Sequence, residues 1–174
     1  MQKINGFTLI ILIFAIFVLT ISMLIAFPVL QTQIQREKEE ELIFRGEQYV
    51  EAIRKYQTEN PGRYPETIKE LVENKYLRKK YKDPISENKE WNIILRSDSI
   101  RSRGQDVTQE IWVVPENRLS SIDVPQIIGV VSSSKKESIK VYYGETIYDK
   151  WLFFYGRDPR KMPKIIYYSD REKE

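Results

Sequence analysis

The chain contains no cysteine and no histidine among its 174 residues. Without cysteine there can be no disulfide, no thiolate nucleophile and no sulfur ligand for a metal ion. Without histidine there is no imidazole base, no Ser-His-Asp triad and no histidine-bound zinc. The chain has only 7 glycines, none of them in a phosphate-binding GxxxxGK loop. These absences remove most of the usual enzyme chemistry and leave carboxylate, lysine or tyrosine chemistry, or none. Since the sequence shows no catalytic constellation, we expect a protein that is not an enzyme and that carries no cofactor and no metal.

Charge is nearly balanced, since 28 lysine and arginine residues face 25 acidic residues and leave a net charge of +3. This excess is too small to indicate nucleic acid, so no nucleic-acid partner is expected. The charges are unevenly placed along the chain. Lys3 is the only charged side chain in residues 1–35, and the other 52 follow. This segregation predicts a membrane-embedded N-terminal segment followed by a domain in water.

Residues 7–30 form an uncharged apolar run. As a helix, these 24 residues would be about 36 Å long, enough to cross a hydrocarbon core of about 30 Å. A cleaved secretory signal would have an apolar core of only about 7–15 residues and small residues at the cut, whereas Leu24 occupies one such position here. We therefore predict a single membrane-spanning helix. Basic residues on both flanks leave its orientation undecided.

A short basic hexapeptide, MQKING, ends at Gly6 and is followed at once by the apolar residues FTLI. This arrangement resembles the leader of type IV pilins and type II secretion pseudopilins. The resemblance implies that prepilin peptidase cleaves between Gly6 and Phe7, that Phe7 is then N-methylated, and that the helix carrying Thr8, Ile11 and Pro28 drives assembly. Glycine suits such a junction because its backbone, without a Cβ, can enter a tight peptidase site. Pro28 lies where the family commonly has a helix-bending proline.

Ile11 departs from the family pattern, which usually has a glutamate at this position. In the family, that carboxylate is thought to pair with the amine of a neighbouring subunit. No acid occurs between Phe7 and Arg36 in this chain, so no nearby residue can replace it. The departure favours a minor or tip subunit over the major repeated one. The alternative is a variant assembly in which apolar packing alone suffices.

Residues 31–59 continue the helix with an amphipathic pattern. An apolar stripe recurs at spacings of three and four, and we expect it to carry the globular domain; its members are Leu42, Ile43, Gly46, Tyr49, Val50, Ile53 and Tyr56. Gly46 lowers helix propensity, so it is expected to admit a bulky neighbour. The glutamates of residues 37–41 are interpreted as a solvated face rather than a metal site. The helix is expected to stop at Asn60-Pro61-Gly62.

Residues 60–174 are predicted to form a globular domain that begins with a short helix. Thr67 and Glu70 have capping-box spacing. Residues 75–82 are strongly basic, and two interpretations stay open. They are either the basic C-terminal end of this helix, which its dipole favours, or a contact for anionic lipid or an acidic partner.

From Trp91 onward the pattern changes to about six short strands. They are residues 91–95, 111–114, 127–131, 139–143, 151–155 and 165–168, and Gly129 indicates a bulge in the third. The predicted fold is α+β: a long N-terminal helix packed on a small antiparallel β-sheet, as in pilins. Residues 60–85 are similar to the equivalent stretch of G-type pseudopilins, whose major member has a calcium-binding loop near its C-terminus. Neither residues 97–109 nor residues 168–174 carry its ligand array, so no such calcium site is expected.

The resemblance implies a function, and three alternatives remain. The first is a structural subunit of a type II secretion pseudopilus, held in the bacterial inner membrane by one helix with residues 60–174 in the periplasm. Its partners would be other pseudopilins or pilins, prepilin peptidase and the inner-membrane platform of the secretion system. The second is a minor pilin of a type IV pilus. The third is a membrane-tethered periplasmic binding module, for which the leader would be coincidence.

Overall fold

A computed structural model describes residues 6–97, 110–158 and 161–168 of the chain. Residues 1–5 of the predicted leader and residues 98–109, 159–160 and 169–174 lie outside the described residues. The chain forms two compact units that divide between Glu37 and Lys38. The helices are α1 (Gly6–Glu59) and α2 (Ile68–Glu73), and the strands are β1 (Trp91–Arg96), β2 (Glu110–Pro115), β3 (Ile127–Ser132), β4 (Glu137–Tyr142), β5 (Glu145–Ile147), β6 (Phe153–Phe154) and β7 (Lys164–Tyr167).

Helix α1 confirms the predicted long helix and includes Pro28 without interruption of the helical assignment. It ends at Glu59, directly before the predicted breaker residues Asn60, Pro61 and Gly62. Gly62 adopts a φ of 80°, a conformation that glycine reaches without steric cost. The end of α1 is therefore fixed by local sequence.

The predicted apolar stripe of α1 is confirmed as the core-facing side of residues 38–59. Leu42, Tyr49, Ile53 and Tyr56 are buried, and Ile43 and Val50 pack against the same cluster while partly buried. Across from them lie the alternate residues of β1, namely Trp91, Ile93 and Leu95. The period of the helix and the period of the strand thus bring two apolar surfaces together.

The main sheet has five strands in the order β6-β3-β1-β2-β7, which confirms the α+β class. Its first four strands are antiparallel to their neighbours, but β7 pairs with β2 in parallel. The expectation of an antiparallel sheet is therefore wrong at this edge. The side-chain pattern of a strand reports which face is buried and not the direction of its partner, so the sequence could not reveal this pairing.

Strand β3 contains the bulge that Gly129 indicated. Ile94 of β1 pairs with Gly129, whereas the next residue, Leu95, pairs with Ile127. Ile128 is thus the extra residue on β3. Because of it, Ile127 and Val130 contribute to the helix-facing core, while Ile128 and Val131 contribute to the apolar cluster on the opposite face.

Helix α2 begins with the predicted cap at Thr67, whose Oγ1 accepts a hydrogen bond from Glu70 N at 3.1 Å. Only half of the expected capping box forms, because the Glu70 carboxylate accepts from the N–H of Glu66 rather than Thr67, at 3.0 Å. Its other oxygen accepts from the Tyr56 hydroxyl at 2.8 Å. Glu70 therefore joins the start of α2 to the end of α1.

Strands β4 and β5 form a separate two-stranded sheet. The turn between them is Tyr143-Gly144, with φ values of 50° and 85°, as a tight type I′ hairpin requires. The apolar residues of β4 point outward: Val141 is 64% exposed, whereas Lys140 and Tyr142 are partly buried. The hairpin is therefore attached to the domain by polar as well as aromatic groups.

Candidate functional site

Gly6, the predicted cleavage position, is the first residue of α1. Phe7, the predicted site of methylation, is 69% exposed. The peptide bond between them thus lies at the helix start, where backbone N–H groups have no partner within the helix.

Thr8, Ile11 and Pro28, the predicted assembly residues, lie on the surface of α1 within its N-terminal unit. Ile11 is 51% exposed, so this position presents a branched apolar side chain at the helix surface. These three residues share one element, α1.

One helix near the N-terminus is long and apolar enough to cross a membrane. Hydroxyl side chains within this apolar run bond back to carbonyls of the same helix: Thr20 donates to Ile16 O at 2.8 Å and Ser22 to Val18 O at 2.9 Å. Each hydroxyl is thereby satisfied without a partner outside the helix. The apolar residues around them are exposed in the chain by itself.

Glu39 is the one charged residue of α1 that is buried in the C-terminal unit among the described residues. Its carboxylate accepts hydrogen bonds from the N–H groups of Ile139 at 2.7 Å and Lys140 at 2.9 Å, and from the Tyr148 hydroxyl at 2.6 Å. Hydrogen bonds to a carboxylate are about twice as strong as neutral ones. Glu39 therefore holds β4 and the turn after β5 onto α1.

Sequence reasoning missed Glu39, because the run of glutamates was interpreted as a solvated face. That interpretation is wrong for this residue alone among the run: Glu37, Glu40 and Glu41 are exposed or half-buried. A signal did exist. Glu39 precedes Leu42 by three residues, so it continues the buried series 42, 46, 49, 53, 56 by one further step. A charged residue in phase with a buried stripe indicates a buried polar contact.

Gly46 confirms the expectation of a close neighbour. A Cβ at this position would overlap with the ring of Phe153 on β6. Phe153 is itself buried and packs edge-on against Trp91, with ring centroids 6.1 Å apart. The glycine thus allows β6 to approach the helix.

The basic segment of residues 75–82 is not the end of a helix, because α2 stops at Glu73 and has no basic residue in its last turn. The dipole interpretation is therefore wrong. The backbone of the segment is instead fixed from within: Tyr81 O accepts from the Tyr49 hydroxyl at 2.9 Å and from Trp91 Nε1 at 3.1 Å. Lys75, Arg78, Lys79, Lys80 and Lys82 remain exposed on this scaffold, and Lys80 pairs with Glu116 at 2.6 Å.

Within the described ranges, no three acidic side chains come together in a way that could hold a metal ion. Comparison with protein-family models, with curated proteins and with solved structures found no match to this chain.

Proposed function

We propose that the chain is a pseudopilin-like structural subunit of a bacterial type II secretion system. In this role it waits in the inner membrane as a single-pass protein, with residues 60–174 in the periplasm. Prepilin peptidase removes residues 1–6 and methylates Phe7. The trimmed subunit then joins other pseudopilins through its N-terminal helix at the inner-membrane platform.

The observation that carries the proposal is the junction between Gly6 and Phe7 at the head of one long helix. A hexapeptide with a single basic side chain, Lys3, ends in glycine directly before an uninterrupted apolar run. The apolar side chains of that run are exposed in the chain by itself. Such a surface needs lipid or other apolar helices around it.

The proposed mechanism is mechanical. Apolar helices in lipid gain little from burial alone, so their association depends on close side-chain packing. With Ile11 in place of a carboxylate, this subunit brings no buried charge that a neighbour's amine must neutralise. We therefore propose a minor or tip subunit, which needs fewer equivalent neighbours than the major one.

Intact-mass analysis of protein extracted from membranes tests the processing step. The expected mass lacks residues 1–6 and carries one added methyl group. A Gly6→Leu variant should retain the full leader, whereas the matched leader variant Gln2→Leu should be processed. An intact N-terminus in the unmodified protein would contradict the proposal.

Two other candidates are distinguished by separate measurements. The uncharged Ile11 surface is compatible with a membrane-tethered module as the third candidate, because a tether needs no subunit contact. An intact N-terminus, together with an absence of cross-links to pilin-like proteins, would support that alternative. A minor pilin of a surface pilus would be supported if deletion of the gene abolished piliation and left secretion intact.

A further inference from the structure

A cleft of about 390 Å³ opens beside α1 in the C-terminal unit. One wall comes from the helix and carries Glu47, Gln48 and Glu51, and the opposite end carries Tyr142, Tyr143 and Arg157. Its apolar lining consists of Val50, Leu152, Phe153 and Phe154. The volume lies in the range of small-ligand sites, and the lining is polar and apolar in about equal parts.

Arg157 is held in this cleft without an acidic partner among the described residues. Its Nη1 donates to Leu152 O at 2.7 Å, and its Nη2 faces only the Met162 sulfur at 3.7 Å. Its Nε–H is buried and has no acceptor. A guanidinium has five N–H donors, so most of its donor capacity here is unused.

Aromatic rings hold the guanidinium in place. Its central carbon lies 3.9 Å from the ring centroid of Tyr143 and 5.7 Å from that of Tyr142. Tyr142 in turn packs against Phe153 with centroids 5.1 Å apart. Burial lowers the pKa of the Arg157 guanidinium, and the neighbouring phenols and Glu145 oppose that change. The charge is thus partly desolvated, and cation–π contacts offset only part of the cost.

The acidic residues of the helix wall do not neutralise Arg157. Both Glu51 oxygens accept from Arg54 at 2.7 Å, and Lys55 lies 3.7 Å from one of them. Glu47 lies on the helix side of the cleft, and no ion pair joins it to Arg157 in the described structure. The cleft therefore has a positive charge at Arg157 and negative charges on the helix wall opposite, which disfavours ligands with several negative charges.

We propose that this cleft binds a single carboxylate carried on an apolar or aromatic group, with the carboxylate paired with Arg157 and the apolar part against Val50 and Phe154. Guanidinium and carboxylate match in shape and form charge-assisted hydrogen bonds. The carboxylate could belong to a free small acid or to the C-terminus of a polypeptide, and the chemistry of recognition is the same. The site does not depend on the proposed filament role.

Calorimetric titration of the full chain in detergent tests the proposal, with N-acetyl-L-phenylalanine and its primary amide as probes. The acid is expected to bind at least about tenfold more tightly than the amide, because only the acid can form the ion pair. A second pair, the tripeptide N-acetyl-Gly-Gly-Phe as acid and amide, distinguishes the sources. Preference for the tripeptide acid indicates a polypeptide C-terminus, and equal binding of both acids indicates a small carboxylate.

Variants of the protein test whether Arg157 is the residue that binds the carboxylate. Arg157→Gln should weaken binding of the acid at least about tenfold, and Arg157→Lys should weaken it less, because an ammonium retains charge but not the two-point geometry. The matched control is Arg78→Gln, at an exposed arginine outside the cleft, which should bind as the unmodified chain does. Equal affinity for acid and amide, absence of binding at millimolar concentration, or full affinity in Arg157→Gln would each overturn the proposal. The comparison of acid and amide needs no variant, so it holds even if Arg157→Gln fails to fold.

Discussion

Gly46 on α1 and Phe153 on β6 are packed so closely that the ring occupies the space of a Cβ. Gly46→Ala should therefore destabilise the domain, although alanine improves helix propensity by about 1 kcal/mol. Overpacking in a well-filled core costs about 1–3 kcal/mol, and the buried Phe153 ring has little room to move. We expect a net loss of about 1–2 kcal/mol, measured by urea unfolding followed by tryptophan fluorescence.

The double variant Gly46→Ala with Phe153→Leu is the control for that contact. A smaller side chain at position 153 should relieve the overlap, so the two changes together should cost less than the sum of the single changes. Thr58→Ala, at an exposed position of the same helix, should not destabilise. If Gly46→Ala raised the unfolding free energy, the close packing would be refuted.

Glu39→Gln should release the β4–β5 hairpin from α1. Glutamine has the same size as glutamate, but its NH₂ group can only donate a hydrogen bond. This group would face the N–H of either Ile139 or Lys140, so two donors would point at each other. We expect a loss of about 2–4 kcal/mol, together with faster hydrogen exchange at residues 139 and 140.

Glu40→Gln is the matched control, because Glu40 is the adjacent exposed glutamate and pairs with Lys140 at 2.7 Å. Exposed ion pairs are screened by solvent, so unfolding should be unchanged within error. Equal effects at positions 39 and 40 would show that burial of Glu39 has no energetic consequence.

Alkaline pH should weaken the domain through Tyr56. Burial and the hydrogen bond to Glu70 raise the pKa of the Tyr56 phenol to about 12. In the unfolded chain the phenol would lose its proton near pH 10, so the unfolded state releases a proton first as pH rises. Stability should therefore be full below about pH 10 and fall as pH rises through about 12. Tyr56→Phe should flatten this part of the stability curve, and an unchanged slope would refute the assignment.

The stability of the domain should fall as Asp149 ionises with rising pH, which is the opposite of the usual effect of a carboxylate whose pKa the fold lowers. Burial raises the pKa of Asp149, opposed by Lys135 and Lys150, and its Oδ1 is buried without a hydrogen-bond partner. Its contribution to stability is therefore fully present below about pH 4 and is lost as the carboxylate ionises. Asp149→Asn should raise the urea midpoint at neutral pH, and the difference from the unmodified chain should vanish in acid. A lower midpoint at neutral pH would contradict this expectation.

Local patterns predicted the elements whose determinants are local. The end of α1 follows from Asn60, Pro61 and Gly62, and the stripe through Leu42 and Tyr56 follows from helical period alone. The Gly129 bulge was visible because a glycine inside an apolar strand often marks a bulge or the close approach of another backbone.

Features that depend on distant pairing were not predictable in this way. The parallel pairing of β7 with β2 joins residues more than fifty positions apart, and no residue type signals strand direction. Burial of Glu39 depends on amide groups of β4 about one hundred residues away. Likewise, the alternation of Ile139 and Val141 gave a strand but not which side of it faces water. The cleft at Arg157 could be seen only after these elements were in place.

The extra residue in β3 also sets the tolerance of the fold to insertion and deletion. The alternation of side chains along β3 changes phase at Ile128. As a result, Ile127 and Val130 lie on one side of the sheet, and Ile128 and Val131 lie on the other. Loss of Ile128 would leave an unbroken ladder with Ile127 and Val130 still on the helix-facing layer, whereas loss of Val130 would move every following residue of the strand to the other face. Deletion of Ile128 should therefore preserve the register of β3, and deletion of Val130 should not.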